Sequence, residues 1–334
     1  MEIKNQTKCY EYFAAANGYT GFRSYFKAAF DPTKFTRLFI LKGGPGTGKN
    51  TLMRDAYEKF KERLNSSELI YCSSDTSSLD GVIMATEKGR IGIIDGTAPH
   101  MTDPSYPGCV DEIVNLGEYW NKDELIRNRD SIERLAREKS GAYKRAYSFL
   151  SLAGRCENEI DNVIKDAFAD EGFGIEKHRT KNAGKLIDAF GKDGKYQLNT
   201  LSAFTENVIG IVGLWDSDQL YLKRISAMYS SDDITIYPSA LSDSKIKAVY
   251  IKSENTAYIS NPSDGTDLNK TIDVSDLLDI EKIKLNTSYL EKLCAVKESL
   301  LWNSCDEFKK ASDTHFMLED IYNKYGEKYK DSLY

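Results

Sequence analysis

The chain has 334 residues, 41 % apolar and 29 % charged, with a formal net charge of −6. That length suits two domains better than one hydrophobic core, and the composition argues against disorder. The acidic balance gives no support to nucleic acid as the main partner.

Residues 1–6 lack the apolar core of a secretory signal. The first clear element is Leu38-Phe39-Ile40-Leu41, an unbroken apolar run that predicts a buried parallel strand. A glycine-rich loop follows at once. Beyond it Leu52, Met53, Ala56, Tyr57, Phe60 and Leu64 recur at helical spacing, and Asn65-Ser66-Ser67 closes that helix. Leu69-Ile70-Tyr71-Cys72 and Ile91-Gly92-Ile93-Ile94 predict two more buried strands. This alternation implies an α/β class with a parallel sheet and a right-handed crossover. Over residues 122–169 charges dominate around a helical stripe, which predicts one or two long helices, an antiparallel pair among the options. Gly172-Phe173-Gly174 and the basic residues 177–181 mark the expected boundary, giving domains 1–175 and 176–334.

The second half replays the first at low identity. A shift of 166 brings Ile70-Tyr71 and Ser73 onto Ile236-Tyr237 and Ser239, Ile93 onto Ile259, and Val82-Ile83 onto Ala248-Val249. A shift of 158 pairs Asn128, Glu133, Leu135 and Lys139 with Asn286, Glu291, Leu293 and Lys297. Residues 208–213 fall where the first strand and first loop glycine belong. In the equivalent loop, Gly213-Leu214-Trp215-Asp216-Ser217-Asp218-Gln219, the lysine has become Gln and two aspartates oppose phosphate. This degenerate repeat is therefore expected to lack triphosphate binding and to serve as scaffold, dimer surface or regulator. The aromatics Trp302, Phe308, Phe316, Tyr322, Tyr325 and Tyr329 are expected to pack helices. The longest apolar stretch, 208–215, is broken by glycines and falls far short of the roughly 20 residues a membrane helix needs. Six scattered cysteines without a C-x-x-C pair predict reduced thiols, and the expected location is the cytoplasm, with no membrane insertion.

The strongest chemical signal is Gly43-Gly44-Pro45-Gly46-Thr47-Gly48-Lys49-Asn50-Thr51. Glycines let the backbone wrap around phosphate oxygens, the helix N-terminus adds its partial charge, and Lys49 supplies a full one. The position after the lysine, usually Ser or Thr on Mg²⁺, is Asn50, with Thr51 the nearest hydroxyl. Both are candidate metal ligands, and weaker Mg²⁺ dependence with slow turnover is expected. Asp95, ending the strand 91–94, is either a holder of the Mg²⁺ water shell or an ordinary turn residue. Asp75 and Asp80 either position water or a second substrate, or form turns. His100 is either a proton carrier or a plain loop histidine. Cys72 is expected to be a buried strand-end thiol rather than a nucleophile. No arginine finger follows from spacing; Arg23, Arg37, Arg54 and Arg90 are the candidates.

Together, Tyr12-Phe13-Ala14-Ala15-Ala16-Asn17-Gly18 with Gly21-Phe22, the phosphate loop, Cys72-Ser73-Ser74-Asp75 with Leu79-Asp80-Gly81-Val82, and Asp95-Gly96-Thr97-Ala98-Pro99-His100 resemble an uncharacterised family of bacterial P-loop ATPases. The resemblance covers about residues 10–120. It implies ATP as the nucleotide, tandem P-loop domains with helical additions, and site roles for Asp75, Asp80 and His100, but no substrate. The catalytic set expected is Lys49, Asp95, Asp75, Asp80 and His100. The leading expectation is an ATPase coupling slow hydrolysis to conformational change, with a homodimer or protein partner conceivable. The loop also resembles that of nucleoside monophosphate kinases, as does Ile94-Asp95-Gly96 with Pro99, but the arginine of their Asp-Gly-Phe-Pro-Arg segment is missing. A kinase therefore ranks second, and a nucleotide-gated binding module third.

Overall fold

A computed structural model describes residues 8–165, 167 and 183–325. The boundary markers at 172–181 and Tyr329 lie outside the described residues. Contacts divide the chain into two compact units: Met1–Ala15, Ser24–Arg145 and Glu307–Tyr334 form the first, and Ala16–Arg23 with Ala146–Asp306 the second. This grouping differs from the contiguous division at 175/176, because the C-terminal segment joins the first unit.

The first unit carries β1 (Lys8–Phe13), β2 (Arg37–Lys42), α1 (Lys49–Phe60), β3 (Ser66–Tyr71), β4 (Leu79–Thr86), β5 (Gly89–Asp95) and β6 (Asp111–Asn115). The sheet order is β1-β3-β4-β5-β2-β6. β2 lies between β5 and β6, parallel to both, and β1 is parallel to β3. The expected all-parallel sheet is instead mixed, because β4 runs antiparallel to both β3 and β5. Its opening Asp80-Gly81 reads as loop in sequence, while Val82, Ile83 and Met84 behind it are fully buried. The β4–β5 hairpin turns at Gly89, whose φ of +124° suits glycine. One face of the sheet packs Leu41, Leu69, Val82 and Ile93 against Met53, with Leu52, Ala56 and Tyr57 of α1 alongside. The stripe read for this helix thus buries as its spacing requires, although Phe60 remains 40 % exposed.

A short helix α2 (Lys122–Arg127), capped by the Asn121 side chain, precedes a single unbroken helix α3 (Arg129–Lys165). The antiparallel pairing considered for this segment takes another form, with a partner from the far end of the chain.

The second unit carries β7 (Asn207–Val212), α4 (Ser217–Met228), β8 (Ile234–Pro238), β9 (Ile246–Ile251), β10 (Thr256–Ser260) and β11 (Lys270–Asp273). The helices α5 (Ile280–Lys284) and α6 (Thr287–Lys324) follow. Its sheet order is β8-β9-β10-β7-β11. Strand sense matches β3-β4-β5-β2-β6 pair for pair: two antiparallel pairs, then two parallel ones. Bulges interrupt both β3–β4 and β8–β9 near the same end. Asn121 and Asp279 cap α2 and α5 at equivalent places.

α3 enters the second unit after Arg145, and α6 enters the first at Glu307. Within the first unit the two helix portions run antiparallel. Arg145 Nε donates to Glu307 Oε2 at 2.7 Å, and Tyr143 meets Phe308 edge-on at 5.8 Å. Of the aromatics expected to pack helices, Phe308 is buried, whereas Trp302 is 71 % and Phe316 49 % exposed. Among the described residues no helix is long and apolar enough to cross a membrane.

Candidate functional site

The loop between β2 and α1 sits at the carboxyl edge of three parallel strands, β5, β2 and β6. Gly46 and Gly48 hold φ of +70° and +82°, a region that side chains rarely enter, and Gly48 caps α1. Thr47 closes the turn by donating from Oγ1 to the Gly44 carbonyl at 2.9 Å. Pro45 lies half-buried between Gly44 and Gly46.

Lys49 is the first residue of α1. Its Nζ donates to the Gly43 and Gly44 carbonyls at 2.8 and 3.0 Å and stands 3.7 Å from Asp95 Oδ2. Burial holds its pKa below the ordinary lysine value, while Asp95 and then Glu319 oppose that shift. Asp95 lies opposite Leu41, one strand over. Its Oδ1 accepts from the Thr97 N–H and hydroxyl at 2.9 and 2.6 Å, leaving Oδ2 toward Lys49. Strand register thus brings Asp95 to face Lys49.

Asn50 is spent on the protein. Its Oδ1 accepts from the Leu79 N–H at 3.1 Å and from Arg54 Nε at 3.2 Å. Both lone pairs are used, and a guanidinium lies where a cation would have to approach, so in this arrangement Asn50 does not fit a direct metal ligand. Thr51 is exposed in the first turn of α1. Among the described residues no group of three or more His, Cys, Asp or Glu side chains could hold a metal ion. Arg54 also donates to the Ser77 carbonyl, while Arg37 and Arg90 pair with Glu112 and Glu68. Arg23 belongs to the second unit and donates to the carbonyls of Ser239 and Ala240.

Asp80 and Asp75 part company. Asp75 Oδ1 accepts from the Ser77 N–H and hydroxyl at 3.1 and 2.7 Å, the geometry of a turn. Asp80 is buried at 7 % exposure, and desolvation pushes its pKa up to about 6. His100 relieves part of that shift and Asp95 adds to it. His100 is buried too, stacked on Phe26 at 4.2 Å between centroids with an interplanar angle of 7°. Its Nε2 lies 3.9 Å from Asp80 Oδ1, and neither ring nitrogen has a hydrogen-bond partner. Lys42 fixes the segment bearing His100, donating to the carbonyls of Gly96 and Thr102. The structure thus gathers Lys49, Asp95, Asp80 and His100, and sets Asp75 in a turn at the rim. Burial raises the Cys72 thiol pKa well above the ordinary value, which favours the thiol over the reactive thiolate.

Sequence reasoning missed the helical cover of the loop. A Cβ on Gly44 would lie 3.0 Å from the Trp120 ring, and Trp120 meets Tyr322 at 5.0 Å. Lys139, His315 and Glu319 line the same side. The spacing of His315 and Glu319, four residues on one helix face, was the available signal.

The second unit has the same edge with different chemistry. Asp216 adopts φ of +62°, a left-handed conformation in a loop that places glycine there in the first unit. Gln219, six residues after Gly213 as Lys49 is after Gly43, donates from Nε2 to Ser260 Oγ at 2.9 Å. Ser260 lies opposite Ile211 as Asp95 lies opposite Leu41. Lys245 donates to Asp161 and Asp216 at 2.7 Å and stands 3.0 Å from Glu157. Glu157, Asp216, Gln219, Lys245 and Ser260 line a polar cavity of ≈ 250 Å³. Set against family models, curated proteins and solved structures, the chain matches none of them.

Proposed function

We propose that the chain is a P-loop nucleotide-binding protein whose loop 43–51 holds a nucleoside triphosphate and whose first unit hydrolyses it slowly. One observation carries this reading. A strand turns through positive-φ glycines into a helix, and that helix starts on a lysine facing the carboxylate that ends the neighbouring parallel strand. Backbone N–H groups, the helix N-terminus and one buried ammonium converge there, and together they favour an anionic tail. ATP as the nucleotide rests on the family resemblance of residues 10–120.

Lys49 leaves the loop carbonyls for the phosphates on binding. Asp80 takes the proton of the attacking water as that oxygen bonds to the γ-phosphorus and the bond to the β-phosphate oxygen breaks, giving ADP and phosphate. Its pKa of about 6 leaves it mostly ionised at pH 7 and close enough to neutrality to accept a proton. His100 sits against Asp80 as the next carrier. Mg²⁺, the metal this reading implies, neutralises phosphate charge when bound. Its residue would be Asp95 through water, since Oδ2 would be released as Lys49 turns to the phosphates, whereas Asn50 is engaged elsewhere. A weak metal grip and the engagement of Arg54 with Asn50 and Ser77 both support slow turnover.

The second unit, in this reading, is a duplicated frame without triphosphate binding. Its Gln219 is neutral, and its loop carries two carboxylates, Asp216 paired with Lys245 and Asp218 buried against Gln219, which disfavour an added anion. Single-turnover assays with γ-labelled ATP test the proposal. Free labelled phosphate at a slow rate, abolished by Lys49→Ala, is expected. Transfer of label to an acceptor instead would make the protein a kinase, and ATP affinity unchanged in Lys49→Ala would overturn the site.

A further inference from the structure

A connected set of side chains from two helices overlooks the phosphate loop and has no part in the reading above. Lys139 on α3 places Nζ 3.4 Å from His315 Nδ1 on α6. His315 Nε2 in turn lies 3.5 Å from Glu319 Oε1. An ammonium has only donors, so Nδ1 accepts and the neutral ring presents Nε2–H to the carboxylate. Burial, followed by Lys139 and Lys49, lowers the His315 pKa to about 4, which keeps that ring neutral at pH 7.

The far end of this relay meets the loop itself. A Cβ on Gly46 would lie 2.9 Å from the Glu319 carbonyl and 2.8 Å from Asn323 Oδ1, so only glycine admits α6 this close. Burial raises the Glu319 carboxyl pKa, and the Gly46 N–H and then Lys49 oppose that rise, so both face this group. A carboxylate facing a loop N–H and a lysine charge has the recognition pattern of a phosphate oxygen. Meanwhile Lys49 is folded back onto the Gly43 and Gly44 carbonyls, which a bound anion would replace.

We propose that Glu319 stands in the place of a phosphate oxygen of the bound nucleotide, and that its displacement frees Lys139 to act as a second triphosphate-binding cation beside Lys49. This rests on the reading of loop 43–51 as a nucleotide site. Lys139 carries its charge on an element distant in sequence from the loop, which is the role an arginine supplied from outside the loop plays in related chemistry. Exchanging one carboxylate for a triphosphate raises the negative charge facing two lysines. Nucleoside triphosphates should therefore open the site more readily than monophosphates.

Calorimetric titration of the full chain with ATP and with AMP tests the proposal. Glu319→Ala and Glu319→Gln should each tighten ATP binding several-fold, since removing the competing anion leaves the loop donors free. Lys139→Ala should weaken ATP binding roughly tenfold, the scale of one charge-assisted contact. Lys139→Arg should restore it, and AMP should respond to neither change. Thermal melts identify any variant that fails to fold, and Lys139→Met then replaces Lys139→Ala. ATP affinity within twofold of wild type in both Lys139→Ala and Glu319→Ala, with binding abolished by Lys49→Ala, would overturn the proposal while leaving the nucleotide site intact. No ATP binding by wild type would remove the underlying reading and the proposal with it.

Discussion

Replacing Asp80 by Asn separates what this carboxylate costs the fold from what it does for chemistry. Its pKa rises from 3.8 to about 6, chiefly through burial, with Asp95 opposing ionisation and His100 favouring it. An acid whose folded pKa is raised binds its proton more tightly folded than unfolded. Stability therefore falls as pH climbs from 3.8 to about 6, and the whole penalty is present at pH 7. Converted at about 1.4 kcal/mol per tenfold, the difference is about 3 kcal/mol. Asn mimics the protonated acid in shape, so Asp80→Asn should match wild type below pH 4 and exceed it by up to that amount above pH 6. Urea unfolding at four pH values, followed by a probe in the first unit, measures this directly. Single turnover of ATP should meanwhile fall by roughly 10²–10⁴-fold, the usual contribution of a positioned base, without loss of ATP affinity. A variant that is less stable at pH 7, or equally stabilised at every pH, would refute the reasoning about burial. Unchanged turnover would refute the assignment of Asp80 as base.

Gly46→Ala should lower stability by about 1–3 kcal/mol, because it strains a φ of +70° and drives a methyl into Glu319 and Asn323; chemical denaturation reads the loss. Lys245→Ala removes the counter-ion shared by Glu157, Asp161 and Asp216, with Lys297 left to serve Glu157. Its cost should be about 3–5 kcal/mol, seen in the unfolding of the second unit. Cys72 should resist alkylation in the folded protein at pH 8, since burial keeps its thiol protonated, whereas exposed Cys109 should react; mass spectrometry of labelled peptides distinguishes them.

The parts of this architecture written in short-range pattern were legible in the sequence. β2, the glycine loop and α1 follow one another within about 20 residues, and each announces itself by its own period or punctuation. β4 was hidden because Asp80-Gly81, just after its first residue, are polar and flexible residues that read as loop. Their burial is set by neighbours β3 and β5. The helical cover was hidden for a different reason. α3 shows a helical stripe, but its partner in the first unit lies more than 160 residues downstream at Glu307 and Phe308. Periodicity gives a face without naming what covers it. Trp302 and Phe316 show the converse error: aromatic type suggested packing, yet both stay exposed. His100 and Asp80 were left open between site and loop roles because their pairing depends on Phe26 and Lys42, which fix the segment from outside it.

The two sheet edges carry different polar contents on the same strand frame. Lys49 facing Asp95 in one unit corresponds to Gln219 facing Ser260 in the other, both of which donate to the buried Asp218 carboxylate. Asp80 follows Leu79 in β4, and Lys247 follows Ile246 in β9, each just past the bulge, so the buried charge there changes sign. Lys247 then finds the carbonyls of Ser260 and Asn261 where Asp80 has His100. Changing Lys49 or Asp95 alone would leave the other with only neutral partners, the loop carbonyls or Thr97, and no opposite charge, at a cost of about 3–5 kcal/mol. A lysine without its aspartate, or an aspartate without its lysine, is the expensive intermediate. The two units share strand order and register across edges whose charged groups differ in this way.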